Sequence, residues 1–345
     1  MFLSAPSFWY HMKRPWWCFV LKPFVWLFRL GACWRRLVSR PLKAHAPVIS
    51  VGNLVMGGAG KTPIAIALCH ALKALGFKPV IFCKGYGGKL QGPLWIDLSH
   101  HRAQDVGDEA LLLAQSGPVV MSKSLKQACS LVPKKENVVF VIDDGHQQCQ
   151  VKTDRRLLVV DYLQGFGNQA VFPQGPLREP LKKGLKRAHA LCVVGGMPPP
   201  FWQGLPVLRV TFQTKTSLKP GTKVWGVAGL GYPLKFRRTL DDLELDVQGF
   251  SSFPDHYPYT LSQIKALEQA AHKQNAQLIT TEKDWVRWPL GASLAHRVQL
   301  KACFADQEVL KTFLQTWLQP KSVVAKKSTV RGIEQARTQV MRCSP

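Results

Sequence analysis

The chain has 345 residues, 46% hydrophobic and 19% charged, with a formal net charge of +25. That balance excludes an intrinsically disordered chain and leaves room for two domains with cores of ordinary size. The nine cysteines contain no C-x-x-C pair, so neither a zinc-ribbon site nor a disulfide framework is indicated, and a reducing compartment is the simple expectation.

The positive charge is concentrated at the amino end. No acidic residue precedes Asp97, while Lys13, Arg14, Lys22, Arg29, Arg35, Arg36, Arg40 and Lys43 fall in the first 47 residues. Residues 1–46 also hold five of the eleven tryptophans: Trp9, Trp16, Trp17, Trp26 and Trp34. Pro23 suits the first turn of a helix and Pro41 its end near Arg40. Between them Phe24, Leu27, Phe28, Leu30, Trp34, Leu37 and Val38 recur at helical spacing. Lys22, Arg29, Arg36 and Lys43 follow at intervals of seven. One face is aromatic and the other basic, the pattern of a helix lying in an anionic membrane interface. A core helix packed on its own domain carries the same stripe and is the alternative. Lys22, Pro23 and Arg29 interrupt every window long enough to span a bilayer. Charges inside the apolar stretch also argue against an export signal, despite the lipoprotein-like Leu30-Gly31-Ala32-Cys33.

From Pro47 an apolar run breaks into Val55-Met56-Gly57-Gly58-Ala59-Gly60-Lys61-Thr62 at the start of an expected helix. Glycines there let consecutive N–H groups approach anionic oxygens, and the helix N-terminus adds partial positive charge. Lys61 is expected at the β- and γ-phosphates of ATP and Thr62 at Mg²⁺. The strict phosphate-loop pattern has glycine where this chain has Val55. Apolar strands are expected at 79–83, 119–121 and 138–142, with a helix over 108–115. Strands alternating with helices imply an α/β fold, a P-loop NTPase-like parallel sheet covered by helices, with ligands at the carboxyl ends of the strands. Lys84 and Tyr86 follow one such strand. Asp143 and Asp144 follow another, where an acid holds Mg²⁺ beside a phosphate loop. Residues 47–213 therefore form the expected P-loop domain. A smaller α/β unit is expected over 214–320, with strands near 224–229 and 278–281 and a helix at 261–273. Residues 321–345 read as a basic, solvated tail.

In order along the chain, VGNLVMGGAGKTP (51–63), KGYGG (84–88), VGDEALLLA (106–114), DDGHQQ (143–148), GFGN (165–168), PQGPLREPL (173–181), FPDHYPYT (253–260) and TTEKDWVR (280–287) resemble the tetraacyldisaccharide 4′-kinase family. VGDE, GPLREP and FPDH are the specific blocks. The resemblance implies transfer of the γ-phosphate of ATP, with Mg²⁺, to the 4′-hydroxyl of a lipid A disaccharide precursor. It further implies a peripheral protein on the cytoplasmic face of the bacterial inner membrane, with an anionic lipid surface as its other partner. Asp108 would act at the sugar hydroxyl, paired with His256; the bland alternatives are a helix N-cap and a turn residue. Glu109 would help at the metal. Arg178 would face the transferring phosphate or the substrate, and Glu179 the metal or Lys61. Asn168, Tyr86, Lys84 and Gln147 would contact substrate or phosphate, with glycine-flanked turn positions as the alternative for Asn168 and Tyr86. The family usually has arginine at Lys84 and histidine at Gln148; lysine loses bidentate geometry and glutamine cannot titrate. A P-loop GTPase is disfavoured because Thr281-Glu282-Lys283-Asp284 displaces the lysine of the [NT]-K-x-D pattern. No nucleic-acid-binding motif accompanies the charge. A monomer is expected.

Overall fold

The computed structural model describes residues 6–10, 15–57, 60–196, 204–230, 233–289 and 295–318. Gly58, Ala59 and the expected tail at 321–345 lie outside them. Two 3-10 turns, Ser7–Tyr10 and Trp16–Leu21, lead into helix α1 (Lys22–Val38). Next come β1 (Val48–Gly52), α2 (Lys61–Ala74), β2 (Lys78–Cys83), β3 (Leu94–Trp95), α3 (Ala103–Val106), α4 (Asp108–Ala114) and β4 (Val119–Met121). They are followed by α5 (Leu125–Leu131), β5 (Val138–Asp143), β6 (Arg155–Asp161), α6 (Leu181–Arg187), β7 (Ala190–Val194) and β8 (Val207–Lys215). The last run is β9 (Lys223–Gly229), α7 (Pro233–Asp242), β10 (Asp246–Phe253), α8 (Leu261–Lys273), β11 (Gln277–Thr281), α9 (Glu282–Trp285), β12 (His296–Phe304) and α10 (Gln307–Leu318).

All these strands join one sheet in the order β10-β9-β11-β12-β8-β7-β6-β1-β5-β2-β4-β3. β1 is parallel to both β5 and β6 and is buried along its whole length, as expected of a strand covered on both faces. On one face Ile64, Leu68 and Leu72 of α2 pack with Ile49, Ile81 and Val141. On the other, Leu125 and Cys129 of α5 pack with Phe82, Phe140 and Ile142. β9, β10, β11 and β12 are parallel to one another, and β12 joins β8 in an antiparallel pair near the middle of the sheet. The segments expected as a separate smaller unit thus continue the same sheet. Leu310 and Leu314 of α10 return to the core formed with α2.

α1 carries no buried residue. Trp16, Phe19, Phe24, Trp26, Leu27, Leu30, Trp34 and Leu37 are exposed, Trp34 to 68%. Trp9 departs from the expected set: it is buried, donates through Nε1 to the Pro173 carbonyl at 3.1 Å, and packs edge-on against Phe172. No helix among the described residues is long and apolar enough to cross a membrane.

Candidate active site

β1 and β5 run side by side, with Val51 opposite Asp143, so the loop after β1 and the acid pair after β5 emerge at the same edge. The segment 176–178 pins that loop: Met56 N–H donates to the Pro176 carbonyl at 2.8 Å and Arg178 N–H to the Leu54 carbonyl at 2.8 Å. Val55 forms an antiparallel bridge with Leu177. Its extended, paired backbone needs no glycine, which accounts for the departure at the first position of the phosphate-loop pattern. Gly60 does need to be glycine: its φ is 72°, and a Cβ there would lie 2.3 Å from the Phe212 ring. Helix α2 then starts at Lys61.

A cavity of about 910 Å³ opens at this edge. Met56, Gly57, Lys61, Tyr86, Asp108, Glu109, Asp143, Asp144, Arg178 and His256 line it, which brings most of the expected site together. Thr62 Oγ1 donates to Asp143 Oδ2 at 2.9 Å. Asp143 is buried, and burial, with Glu109 adding to it, pushes its carboxyl up to about 7. Asp144, placed by a left-handed backbone at φ 51°, receives Arg178 Nη1 at 2.9–3.0 Å and Lys61 Nζ at 3.7 Å. Burial raises the Asp144 carboxyl, but the charges of Lys61 and Arg178 outweigh it and hold it below its ordinary value. Asp144, expected as a metal ligand, holds the two cations suited to phosphate.

Across the cavity, Gly107 turns at φ 86°, where a Cβ would strike the Tyr86 carbonyl at 2.3 Å, and delivers Asp108 as the first residue of α4. Asp108 Oδ1 accepts from Glu109 N–H at 3.0 Å, and Oδ2 lies 2.9 Å from His256 Nδ1 and 3.7 Å from Arg287 Nε. The Asp108 side chain is 4% exposed and that of His256 is 45% exposed. Burial raises the Asp108 carboxyl, yet the His256 hydrogen bond and the charges of His256, Lys283 and Arg287 bring it below its ordinary value. The same hydrogen bond raises the His256 imidazole against the opposing effect of burial. Glu109 is pushed up by burial and by Asp108.

Four expected contacts lie elsewhere. Glu179 meets neither Lys61 nor the acid cluster: it is buried between Arg36 Nη2 at 2.7 Å and Arg187 Nη2 at 2.6 Å. Asn168 is buried too, its amide donating to the Gln174 carbonyl at 2.9 Å and accepting from Ala170 N–H at 3.0 Å, so it shapes a turn. Gln147 donates to the Asn53 carbonyl at 2.8 Å and to Glu179 at 3.2 Å. Lys84, 5.9 Å from the Tyr86 ring, lines an adjoining cleft with Arg36 and Gln147. Gln148 is buried: it donates to the Val151 carbonyl and Thr153 Oγ1 and accepts from the N–H groups of Gln150 and Val151. It is a fully used turn clamp, away from the central cavity.

A family model described as Tetraacyldisaccharide-1-P 4′-kinase (LpxK) matches residues 17–319. This chain belongs to the tetraacyldisaccharide 4′-kinase family. A tetraacyldisaccharide 4′-kinase of Bradyrhizobium sp. (strain BTAi1) is 40% identical over 295 residues, covering 83% of this chain and 85% of that protein. One from Nitrobacter hamburgensis is 37% identical over 330 residues, covering 90% and 97%. Among solved structures, LpxK from Aquifex aeolicus, an "apo" form in complex with ATP, superposes with a TM-score of 0.71 and 26% identity over 88% of this chain and 99% of that one.

Within this family member the cavity has a second wall that sequence reasoning left without roles. Asp255, Lys283 and Arg287 line it; Lys283 Nζ is 3.3 Å from Asp255 and 3.4 Å from His256 Nε2. All three stand inside the FPDHYPYT and TTEKDWVR blocks, so the signal was their charge within segments already marked as distinctive.

Proposed function

We propose that this chain transfers the γ-phosphoryl group of ATP to the 4′-hydroxyl of tetraacyldisaccharide 1-phosphate, forming the bisphosphorylated lipid A precursor, lipid IVA. The observation that carries this is the pairing of two half-sites across one cavity: cations and a hydroxyl suited to a nucleotide phosphate on one wall, and an aspartate–histidine dyad on the other.

ATP is held at its phosphates by the loop around Gly57 and Gly60 and by Lys61. Before it binds, Asp144 keeps Lys61 and Arg178 in place; phosphate oxygens then take those donors over. Mg²⁺ takes oxygen ligands, usually one or two from the protein beside phosphates and water. Thr62 Oγ1 and the buried Asp143 carboxylate, 2.9 Å apart with Glu109 adding negative charge, supply that donor set. When bound, Mg²⁺ neutralises charge developing on the phosphates. The dyad handles the acceptor. Asp108 Oδ1 takes the Glu109 N–H and Oδ2 is ion-paired with His256 Nδ1 at 2.9 Å, with Asp108 buried while the imidazole faces the cavity. Asp108 therefore fixes the proton on Nδ1, leaving Nε2 to accept one. Lys283 Nζ now meets Nε2 at 3.4 Å, marking where the 4′-hydroxyl donates. As its oxygen bonds to phosphorus and ADP leaves, the hydroxyl proton passes to Nε2. An imidazole raised toward working pH by its aspartate suits that task.

The exposed aromatic face of α1 seats the protein as a monomer on an anionic lipid surface, peripheral to the cytoplasmic face of the inner membrane, where ATP and acceptor meet. Tryptophan and leucine side chains insert, while Arg29, stacked on Trp26 at 5.0 Å, remains at headgroup level. Residues 47–213 and 214–320 act as two units that share the cavity, the first supplying the phosphate-facing groups and Asp108, the second His256, Lys283 and Arg287. The test is incubation with labelled ATP and tetraacyldisaccharide 1-phosphate in detergent micelles, followed by chromatography of the lipid. Absence of a 4′-phosphorylated product sinks the assignment, and Asp108→Ala or His256→Ala turning over at the wild-type rate sinks the dyad. Both variants are expected to lose about 10²–10⁴-fold in kcat.

A further inference from the structure

Asp284 is completely buried and forms the centre of a closed network. Its Oδ1 accepts from Gly229 N–H, the Tyr259 hydroxyl and Arg287 Nη2, each at 2.9 Å. Oδ2 accepts from Thr281 Oγ1 at 2.6 Å. Arg287 is tied down a second time, with Nη2 donating to the Gly229 carbonyl at 3.1 Å. Its side chain is 4% exposed, and Nη1 has no partner among the described residues. A buried guanidinium with an unused donor is poorly explained by stability alone. Arg287 Nε donates to the Lys283 carbonyl at 3.1 Å and also lies 3.7 Å from Asp108 Oδ2, the oxygen that His256 contacts; among the described residues Asp108 is the carboxylate outside the network that Arg287 approaches.

The two contacts to Oδ2 differ in rigidity. His256 sits on a left-handed backbone at φ 59° with its side chain half exposed, and its ring must meet the acceptor. Arg287 is held from both sides by groups that never leave the protein. We infer that Arg287 is a positioning residue for the phosphoryl transfer: braced by Asp284, it holds Asp108 Oδ2 in line with His256 Nδ1. Asp108 comes from α4 and Arg287 follows α9, so the dyad is aligned only when the β9–β12 part of the sheet is seated against the first part. The inference rests on the proposed dyad.

Misplacing a catalytic group by about 1 Å costs on the order of 10²-fold. Arg287→Met is therefore expected to lower kcat about 10²-fold while KM for ATP stays within about twofold of wild type. In an Asp108→Asn background the same change is expected to cost nothing more, because the group it positions has already lost its charge. Arg287→Gly is expected to regain kcat on addition of ethylguanidinium, and Arg287→Lys, which keeps a cation but not the fork, to fall between wild type and methionine. Thermal melts of each variant separate folding from catalysis; if methionine prevents folding, the lysine variant and its Asp108→Asn double carry the same comparison. Losses at 287 and 108 that multiply, or wild-type turnover by a folded Arg287→Met, overturn the inference. If Asp108→Ala and His256→Ala are themselves fully active, it is the dyad that has failed.

Discussion

Replacing Glu179 with glutamine separates a structural carboxylate from a metal-binding one. Glu179 is 3% exposed, with Arg36 Nη2 at 2.7 Å, Arg187 Nη2 at 2.6 Å and Arg187 Nη1 at 2.7 Å. Burial alone would raise its carboxyl, but the hydrogen bonds from Arg187 and Arg36 dominate together and hold it down to about 2, from 4.5. A depression of 4.5 − 2, about 2.5 units at about 1.4 kcal/mol each, is roughly 3 kcal/mol. Arg36 is about one-third exposed, so solvent screening trims this to about 2–3 kcal/mol. Because the folded-state value is depressed, this stability is present above about pH 4.5 and is lost as pH falls toward 2. Glutamine also leaves Arg36, Arg187 and the neighbouring Arg156 without their shared carboxylate; breaking a buried pair from one side costs about 3 kcal/mol. Urea denaturation at pH 7 is thus expected to show Glu179→Gln about 3 kcal/mol less stable than wild type, the gap closing as pH is lowered through 4 to 2.5. Wild-type stability at pH 7 combined with a raised Mg²⁺ requirement would refute the ion-pair account and return Glu179 to the metal.

Histidine NMR should report His256 titrating above 6.5 in the wild-type protein and falling back toward 6.5 in Asp108→Asn, since the Asp108 hydrogen bond is the first cause of its upward shift; an unchanged titration would break the dyad assignment. Trp26→Ser with Trp34→Ser, both exposed on α1, is expected to weaken sedimentation with anionic vesicles roughly 10²-fold at about 1.5 kcal/mol per side chain, with turnover on detergent-dispersed acceptor nearly unchanged; undiminished sedimentation would place the membrane contact elsewhere. Gln148→Ala removes four hydrogen bonds and is expected to cost about 2 kcal/mol in denaturation while leaving KM for ATP alone; an altered KM with intact stability would mean that Gln148 serves the nucleotide after all.

The first part of the sheet was legible because its strands are continuous apolar runs: 79–83, 119–121 and 138–142 fall within β2, β4 and β5, and 108–115 matches α4 within a residue. β8 and β12 were not legible, because they alternate. Only two of the nine residues in each are buried, and Arg209, Lys215, Gln299 and Lys301 break any apolar run. Missing that pair hid how the strands of 214–320 continue the sheet of the first part. The site divides in the same way. Lys61, Thr62 and Asp143 could be found from motif chemistry, and Asp108 and His256 only through the family resemblance, whereas Arg287 depends on a buried aspartate 55 residues from the glycine it braces, a contact no local pattern encodes. Trp9 was misplaced for a similar reason: its partners, Phe172 and Pro173, are more than 160 residues away.

The GPLREP block explains why the exposed aromatic helix α1 and the proposed phosphate site belong to one device. Its backbone pins the loop after β1 through Leu177 and Arg178. Arg178 and Glu179 are adjacent, so their side chains leave in different directions: Arg178 to Asp144 in the cavity, Glu179 to Arg36 on α1. Gln147, three residues beyond Asp144, spans the same gap by bonding both the Asn53 carbonyl and Glu179. A shift of α1 that pulls on Arg36 therefore acts on the backbone that sets Arg178, one residue away. Deleting α1 would remove this clamp along with the proposed lipid contact, so loss of activity in a truncated chain would not by itself measure membrane binding. Point changes on the exposed face, which leave Arg36 and Glu179 paired, isolate the lipid contact.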